Sequence, residues 1–233
     1  MTDENLSWQD MNQVLVECRK CSRLVAWREE VAKVKRRAYL EWDYWGKPVP
    51  GFGDQNASIL VVGLAPGAHG ANRTGRMFTG DGSGDFLYPA LFKAGFSNQP
   101  QAVKRGDGLQ LCNMYISAVC RCVPPGNKPK AIEISNCLPF LEAEIRLLPD
   151  LKVIVALGRI AFDQTLRIYR SWTGERLPFN FQHCGQYSLG DSFPQLIASY
   201  HPSRQNTQTG RLTGEMFEQV WEIAGEYLQS AGQ

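Results

Sequence analysis

Two polar, glycine-rich loops carry the side chains in this sequence that are best suited to chemistry. Each loop follows a short apolar run: residues 65–81 (APGAHGANRTGRMFTGD) follow SILVVGL at 58–64, and residues 201–211 (HPSRQNTQTGR) follow LIASY at 196–200. Short buried strands that lead into such loops build the ligand sites of open α/β sheets. If the two runs are neighbouring strands, both loops converge on one pocket.

Four of the seven cysteines have a spacing that can hold a metal centre. Cys18 and Cys21 form a C-x2-C pair, and Cys122 and Cys137 are separated by fourteen residues. Four thiolates can bind an iron–sulfur cluster or zinc. No disulfide framework is expected, because the cysteine count is odd and the acidic N-terminus, without a signal peptide, predicts a cytoplasmic protein. Spacing alone leaves a cluster, zinc and ordinary thiols open.

Composition narrows the class of protein without identifying a partner. The 233-residue chain has 43% apolar and 21% charged residues, which is ordinary for a globular protein, and it has no apolar run that could span a membrane. The net charge of +2 neither indicates nor excludes nucleic acid. A basic run at Lys33, Lys35, Arg36 and Arg37 is interpreted as a solvated helix face, with phosphate binding as the alternative.

Alternating strand and helix patterns predict an α/β fold. Short apolar runs bounded by turn residues are typical of strands that are covered on both faces. These runs lie at 58–64, 111–119, 151–157 and 196–200. Helical spacing of apolar residues follows at 133–148, 159–168 and 212–228. Right-handed crossovers then imply a three-layer α/β/α domain with a central four-stranded, mostly parallel sheet.

The whole chain, residues 1–233, is predicted to be a single domain. Residues 1–57 differ from the rest and form a helical N-terminal region, with a helix expected over 6–35. Residues 169–194 are expected to be an irregular insertion that can form a hairpin.

Four segments together resemble the uracil-DNA glycosylase superfamily and, within it, family 5. They are WGKPVPGFGD at 45–54, GLAPGAHGANRTGRMFTGD at 63–81, CVPPGNKP at 122–129 and HPSRQNTQTGRLTGEM at 201–216. The resemblance covers most of the chain in the same order. It implies a structural [4Fe–4S] cluster, shared between the N-terminal region and the rest of the chain, with zinc as the alternative. The implied ligands are Cys18, Cys21, Cys122 and Cys137.

The resemblance also implies catalytic roles in the two loops. His201 would donate a hydrogen bond to the departing uracil, and Phe78 would stack on the flipped base. Ala65 stands where other families place an Asp or Asn that positions water, and alanine cannot orient water. Asp81 and Asn127 remain as candidates for that task, although Asp81 can also cap a helix and Asn127 can be a turn residue.

The base pocket and the DNA contacts complete the predicted site. Ala65, Pro66 and Gly67 are expected to line the pocket, while His69 contacts the base or a phosphate, or only holds its loop together. The residues after His201 would enter the DNA helix, but Arg204 and Gln205, followed by Asn206, stand in place of the apolar wedge of many relatives. The predicted phosphate contacts are Ser203, Arg73, Lys128 and Arg211.

The resemblance and these residues predict a monofunctional DNA glycosylase that initiates base-excision repair. It would release uracil, and also hypoxanthine, xanthine and related damaged bases, from DNA without nicking the strand, because no lysine stands out as a nucleophile. The predicted partner is DNA with deaminated bases, bound by a monomer, with no membrane association. The alternative is a noncatalytic nucleic-acid-binding or damage-sensing module with the same fold, which the alanine at residue 65 favours.

Overall fold

A six-stranded sheet lies at the centre of the computed structural model, which describes residues 7–230. The strands are β1 (Phe52–Gly53), β2 (Ile59–Gly63), β3 (Met114–Ala118), β4 (Val153–Leu157), β5 (Gln186–Ser188) and β6 (Gln195–Ser199). Their order is β1-β3-β2-β4-β6-β5. The pairs β3–β2, β2–β4 and β4–β6 are parallel, whereas β1 and β5 add to the two edges in antiparallel orientation.

The predicted four-stranded sheet is therefore confirmed as the parallel centre, but the strand count was wrong. The two additional strands have only two and three residues, and their side chains are partly or fully exposed. Such short edge strands do not produce the continuous apolar run that marks a strand buried on both faces. The strand expected at 111–119 is also shorter and begins at Met114.

Helices cover both faces of the sheet and form two hydrophobic cores. Within residues 7–230 the α-helices are α1 (Trp8–Val16), α2 (Ser22–Val34), α3 (Ala71–Thr74), α4 (Gly84–Lys93), α5 (Ala131–Leu147), α6 (Arg159–Thr173), α7 (Arg204–Gln208) and α8 (Gly214–Ser230). Ile59 and Val61 pack with residues of α4 and α8, whereas Leu60 and Val62 pack with α5 and α6 on the opposite face. This alternation confirms the three layers. No helix in the described part is long and apolar enough to cross a membrane.

The N-terminal helical region consists of two helices instead of the single helix expected at 6–35. Helix α1 ends at Val16 and α2 begins at Ser22, so the intervening loop contains Cys18 and precedes α2 with Cys21. Met11 and Leu15 of α1 are fully buried against α5, in a small core that also includes Cys137. This packing places the C-x2-C loop beside the other predicted ligands. Residue 6 lies outside the described residues.

The predicted insertion at 169–194 is more regular than expected. Helix α6 continues to Thr173 and ends at Gly174, which has a φ of 71°. Strand β5 lies in this segment and pairs with β6, so the hairpin extends beyond the predicted insertion.

A buried ion pair connects the end of β3 to α5. Arg121 and Glu144 are 1% and 0% exposed, and both guanidinium Nη atoms donate to the Glu144 carboxylate. Ser117 and Tyr115 also donate to this carboxylate. The Arg121 backbone N–H donates to Cys137 Sγ at 3.2 Å, so the pair fixes the loop that begins at the end of β3 against the helix that carries a predicted ligand.

Replacing Glu144 with Gln is expected to lower the free energy of unfolding by about 3 kcal/mol, because it leaves the buried Arg121 without a counter-charge. Chemical denaturation monitored by circular dichroism measures this change. The matched control is Glu218→Gln, which removes a surface ion pair with Lys93 and should lie within experimental error of wild type. Equal stability of the two variants would contradict the assigned role of the buried pair.

Candidate active site

A cleft of about 720 Å³ lies at the carboxyl ends of the parallel strands. Its walls come from the first loop after β2, the second loop after β6, the turn at 125–128 after β3, and the segment that follows α2. Strands β2 and β6 are not neighbours, because β4 lies between them. The two loops share one pocket even though the expected condition, that their strands are neighbours, is not met.

His201 enters the pocket from the end of β6. Gly158, with a φ of 96°, ends β4 beside it, and a Cβ at this position would lie 3.2 Å from the His201 Cβ. The His201 carbonyl oxygen accepts hydrogen bonds from Ser203 N–H and from Asn206 Nδ2. Burial lowers the pKa of His201 to about 4, so the ring is neutral at neutral pH and one ring nitrogen carries a hydrogen that it can donate.

Phe78 and His201 form two sides of the same space. Their ring centroids are 6.0 Å apart with an interplanar angle of 30°. Phe78 has a φ of 51°, and its ring lies against Gly63, where an added Cβ would be 2.8 Å from Phe78 Cζ. The glycine therefore allows the flat ring to lie against the end of β2. An aromatic face beside an N–H donor suits a planar heterocycle.

Asp81 is the last residue of the first loop, and its two side-chain oxygen atoms have different surroundings. Oδ1 accepts from the backbone N–H groups of Ser83 and Gly84, at 3.0 and 3.1 Å, at the start of α4. Oδ2 lies against Gly67 and Gly70, and an added Cβ at Gly67 would come within 2.7 Å of it. Burial raises the pKa of Asp81 despite the two backbone hydrogen bonds. Asp81 thus binds the backbone at the start of α4 through one oxygen, although the N-cap position itself is Ser83, and no hydrogen bond to Oδ2 forms within residues 7–230.

Asn127 lies on the opposite loop, in the short 3₁₀ turn Pro125–Asn127 after β3. Its φ of 57° is typical of a turn residue, and its exposed side chain lines the cleft together with that of Lys128. Both interpretations of Asn127, turn former and pocket residue, therefore agree with the structure. Ala65, Pro66 and Gly67 also line the cleft, as expected.

His69 also lines the cleft, and a neighbouring tyrosine fixes its ring. The Tyr44 hydroxyl lies 3.0 Å from His69 Nδ1, and the His69 carbonyl oxygen accepts from Arg73 Nε at 2.6 Å. Burial lowers the pKa of His69, and the charges of Arg36 and Arg73 lower it further. His69 is therefore a neutral imidazole whose ring orientation is set from outside the pocket.

Arg73 does not lie where a phosphate contact requires it. Its side chain is 3% exposed, and its guanidinium lies over the rings of Tyr39 and Trp42 at 3.9 and 4.0 Å. It also donates to the carbonyl oxygens of His69 and Gly80. Nε and Nη2 are thus occupied, and Nη1 has no hydrogen-bond partner but is also buried, so the predicted phosphate contact at Arg73 is not retained. Arg73 instead holds the aromatic segment after α2 against the first loop.

The predicted wedge forms the short helix α7 at the mouth of the cleft. Ser203 caps this helix, and Arg204 and Gln205 are exposed at its start. An added Cβ at Gly82 would lie 2.6 Å from Arg204 Nε, so Arg204 packs against the residue that directly follows the first loop. Asn206 is occupied by the hydrogen bond to His201. Arg211 is exposed, but it lies over the Tyr200 ring at 4.7 Å and is outside the cleft lining.

The four predicted cysteine ligands are partly buried, and N–H donors contact three of the sulfur atoms. Arg28 Nη1 donates to Cys122 Sγ at 3.0 Å, Asn136 Nδ2 lies 3.5 Å from Cys21 Sγ, and the Arg121 backbone contacts Cys137. Burial raises the pKa of Cys137 to about 12, and the nearby Cys18 and Cys122 raise it as well. No group of three or more His, Cys, Asp or Glu residues in the described part has the arrangement needed for a single metal ion.

Arg36 and Tyr39 line the cleft from the segment after α2. Sequence reasoning missed Tyr39 and considered a ligand contact for Arg36 only as the alternative. Arg36 was interpreted as part of a solvated helix face, but α2 ends at Val34 and Arg36 lies beyond it. The available signal for this wall of the cleft was the aromatic and Pro/Gly-rich composition of the residues that follow, because this composition is typical of a loop with a rigid shape.

A parallel sheet with a polar cleft at its carboxyl ends defines an α/β protein that binds its ligand at the strand ends. The sequence over residues 50–225 matches the family model described as "Uracil DNA glycosylase superfamily". The match covers more than half of the chain. The protein therefore belongs to the uracil-DNA glycosylase superfamily.

Several similar proteins carry the same family name. A type-5 uracil-DNA glycosylase of Thermus thermophilus is 52% identical over 89% of this chain and 92% of its own length. A type-5 enzyme of Mycobacterium bovis is 49% identical over 92% of this chain and 80% of its own length. A type-4 enzyme of Pyrobaculum aerophilum is 32% identical over 69% and 74% of the two chains. The type-5 relatives thus agree with the family 5 resemblance.

Proposed function

We propose that the protein is a monofunctional DNA glycosylase that hydrolyses the N-glycosidic bond of uracil in DNA. The observation that carries this proposal is the pairing of Phe78 with His201 in one cleft, 6.0 Å apart. This arrangement suits a planar base on the aromatic ring with its oxygen at the histidine N–H. The names of the type-5 relatives support the same activity.

Bond cleavage first requires that the nucleotide leaves the duplex and enters the cleft, at a cost of a few kcal/mol. As the bond to the sugar breaks, the departing base becomes anionic and the sugar becomes an oxocarbenium-like cation. His201 donates its N–H to the anion. A neutral donor that is already oriented stabilises this developing charge without reorganisation during the reaction.

The sugar side of the cleft has to provide water and negative charge. Asp81 is suited to both tasks, because Oδ2 is free of the helix cap and faces the first loop. Asn127 faces the same cleft and can hold a water molecule without acting as a base. We propose that the two residues replace the water-positioning side chain that Ala65 lacks.

The cleft is open and wide enough that we extend the proposal to hypoxanthine, xanthine and related damaged bases. On the DNA side, Arg204 and Gln205 would enter the space left by the flipped nucleotide and bind the unpaired partner base. Lys128, Ser203 and Arg211 would contact phosphates, with Asn206 supporting α7. The protein is proposed to act as a cytoplasmic monomer that binds DNA.

We propose a structural [4Fe–4S] cluster at Cys18, Cys21, Cys122 and Cys137. The donor set fits, because it consists of sulfur alone and buried N–H groups of Arg28 and Arg121 reach two of the sulfur atoms. Four thiolates can also hold a single zinc, so metal analysis is needed to distinguish the two. When bound, the cluster would crosslink the α1–α2 loop, the end of β3 and α5.

Replacing Cys137 with Ser is expected to lower the iron and sulfide content from about four of each per chain and to reduce the melting temperature. Cys184→Ser is the matched control, because Cys184 is partly buried but lies in the turn before β5 and contacts Met216 instead of the ligand set. Metal analysis and thermal denaturation measure both effects. Wild-type protein that contains only zinc would contradict the cluster.

The activity is tested by incubating the protein with a duplex that contains one uracil and by measuring free uracil and abasic sites. Release of uracil supports the proposal. Specific binding to the uracil duplex without release of base at micromolar protein would instead indicate a damage-sensing module.

A further inference from the structure

We propose that Arg36 and His69 form a subsite for a DNA phosphate next to the flipped nucleotide. The subsite rests on the proposed function in that it assumes a DNA strand across the cleft. It adds Arg36 to the DNA-binding surface and assigns His69 to the phosphate rather than to the base. Tyr44 is the positioning residue of this subsite.

The ring of His69 has one nitrogen occupied and one free. Nδ1 is bound to the Tyr44 hydroxyl, which also interacts with the backbone of Arg36. Nε2 has no hydrogen-bond partner among residues 7–230. It is also accessible, because the buried polar atoms that lack a partner there do not include it. When Tyr44 donates to Nδ1, the hydrogen of the neutral ring lies on Nε2. Nε2 is then an N–H donor that is available to a ligand in the cleft.

The charge around this donor favours an anion. The positive charges of Arg36 and Arg73 both lower the pKa of His69. Arg36 forms no salt bridge in the described part of the chain. The guanidinium of Arg73 is buried against the rings of Tyr39 and Trp42, so Arg36, which is exposed, is the one of the two that can contact a ligand directly. A neutral base gains little from this charge, whereas a phosphate gains a charge-assisted hydrogen bond from each side chain.

The position of Arg36 also agrees with a backbone contact. Its side chain is exposed and lines the cleft, whereas the Phe78 ring is buried. The DNA backbone has to remain outside when a base enters a pocket, so its phosphates meet exposed groups of the rim. Segment 36–45 is held in place by the stacking of Arg73 on Tyr39 and Trp42, which gives the subsite a fixed geometry.

The test measures binding of duplexes that contain one 2′-fluorodeoxyuridine, whose fluorine slows base release. Neutral methylphosphonates replace the phosphates on either side of this nucleotide, one at a time. One replacement is expected to weaken wild-type binding by about tenfold. Arg36→Ala and His69→Gln should each weaken binding of the unmodified duplex by a similar factor and become insensitive to that replacement. The double variant should lose little more than either single variant.

Arg37→Ala is the matched control, because it removes the same charge from an exposed neighbour that does not line the cleft. It should retain the wild-type sensitivity to the methylphosphonate. Tyr44→Phe should lose part of the sensitivity, since it removes only the hydroxyl that fixes His69. Melting temperatures of all variants identify any loss of folding.

The subsite is overturned if Arg36→Ala responds to every methylphosphonate as the wild type does, or if the losses in the double variant are additive. Because binding is measured without base release, the result is separate from the proposed activity. A protein that shows the phosphate effect but releases no uracil would disprove the activity and retain the subsite.

Discussion

Replacing His201 with alanine is expected to lower the single-turnover rate of uracil release by about 10²- to 10³-fold, which is typical of losing one donor to a developing anion. The residue is the neutral N–H donor beside Phe78, and the structure shows no other role for its ring within residues 7–230. Rapid-quench measurement of free uracil at saturating protein measures the rate of the chemical step.

Two further variants separate the donor from the shape of the pocket. His201→Gln retains an N–H donor and should recover part of the lost rate, whereas binding of the 2′-fluoro duplex should change little in both variants. Gly158→Ala should also slow release, since it combines a strained φ of 96° with a close approach to the His201 Cβ. A His201→Ala protein with the full rate would contradict the assigned donor.

Replacing Asp81 with Asn is expected to lower the same rate by about 10²-fold and to change its pH dependence. Burial raises the pKa of Asp81, so its carboxylate becomes protonated at a pH above the usual carboxyl range. The wild-type rate should therefore fall as the pH decreases through this pKa, and Asp81→Asn should lack that limb. Asn retains an oxygen for the cap of α4, so stability should be preserved.

Asp85→Asn is the control for this experiment, because Asp85 is exposed in the first turn of the same helix. Its rate at neutral pH should match the wild type. Combining Asp81→Asn with Asn127→Ala tests whether the two residues hold one water molecule. Coupled losses support a shared water, and additive losses would show that the residues act separately.

The centre of the fold could be predicted because its strands are buried on both faces. Parallel strands such as β2 and β4 consist almost entirely of apolar residues, and this pattern is visible in the sequence. The edge strands β1 and β5 could not be predicted, since two or three half-exposed residues have no distinctive period. The break between α1 and α2 was missed because helix periodicity alone does not reveal a loop at Cys18.

The site was predictable where it depends on strand-end loops and matching motifs, and not where it depends on contacts across the fold. The loops containing Phe78 and His201 do share one cleft. The sequence does not reveal that Gly67 and Gly70 make room for Asp81 Oδ2, because only folding brings these residues together. Charge alone also suggested a phosphate contact for Arg73, which the structure buries against two aromatic rings.

The proposed glycosylase activity is tested by the product that the purified protein forms from a duplex with a single uracil, compared with a thymine duplex. Wild-type protein should release free uracil and leave an alkali-sensitive site without nicking the strand, and His201→Ala should form this product far more slowly. Strand cleavage without alkali, or tight binding to the uracil duplex with no released base, would contradict a monofunctional glycosylase.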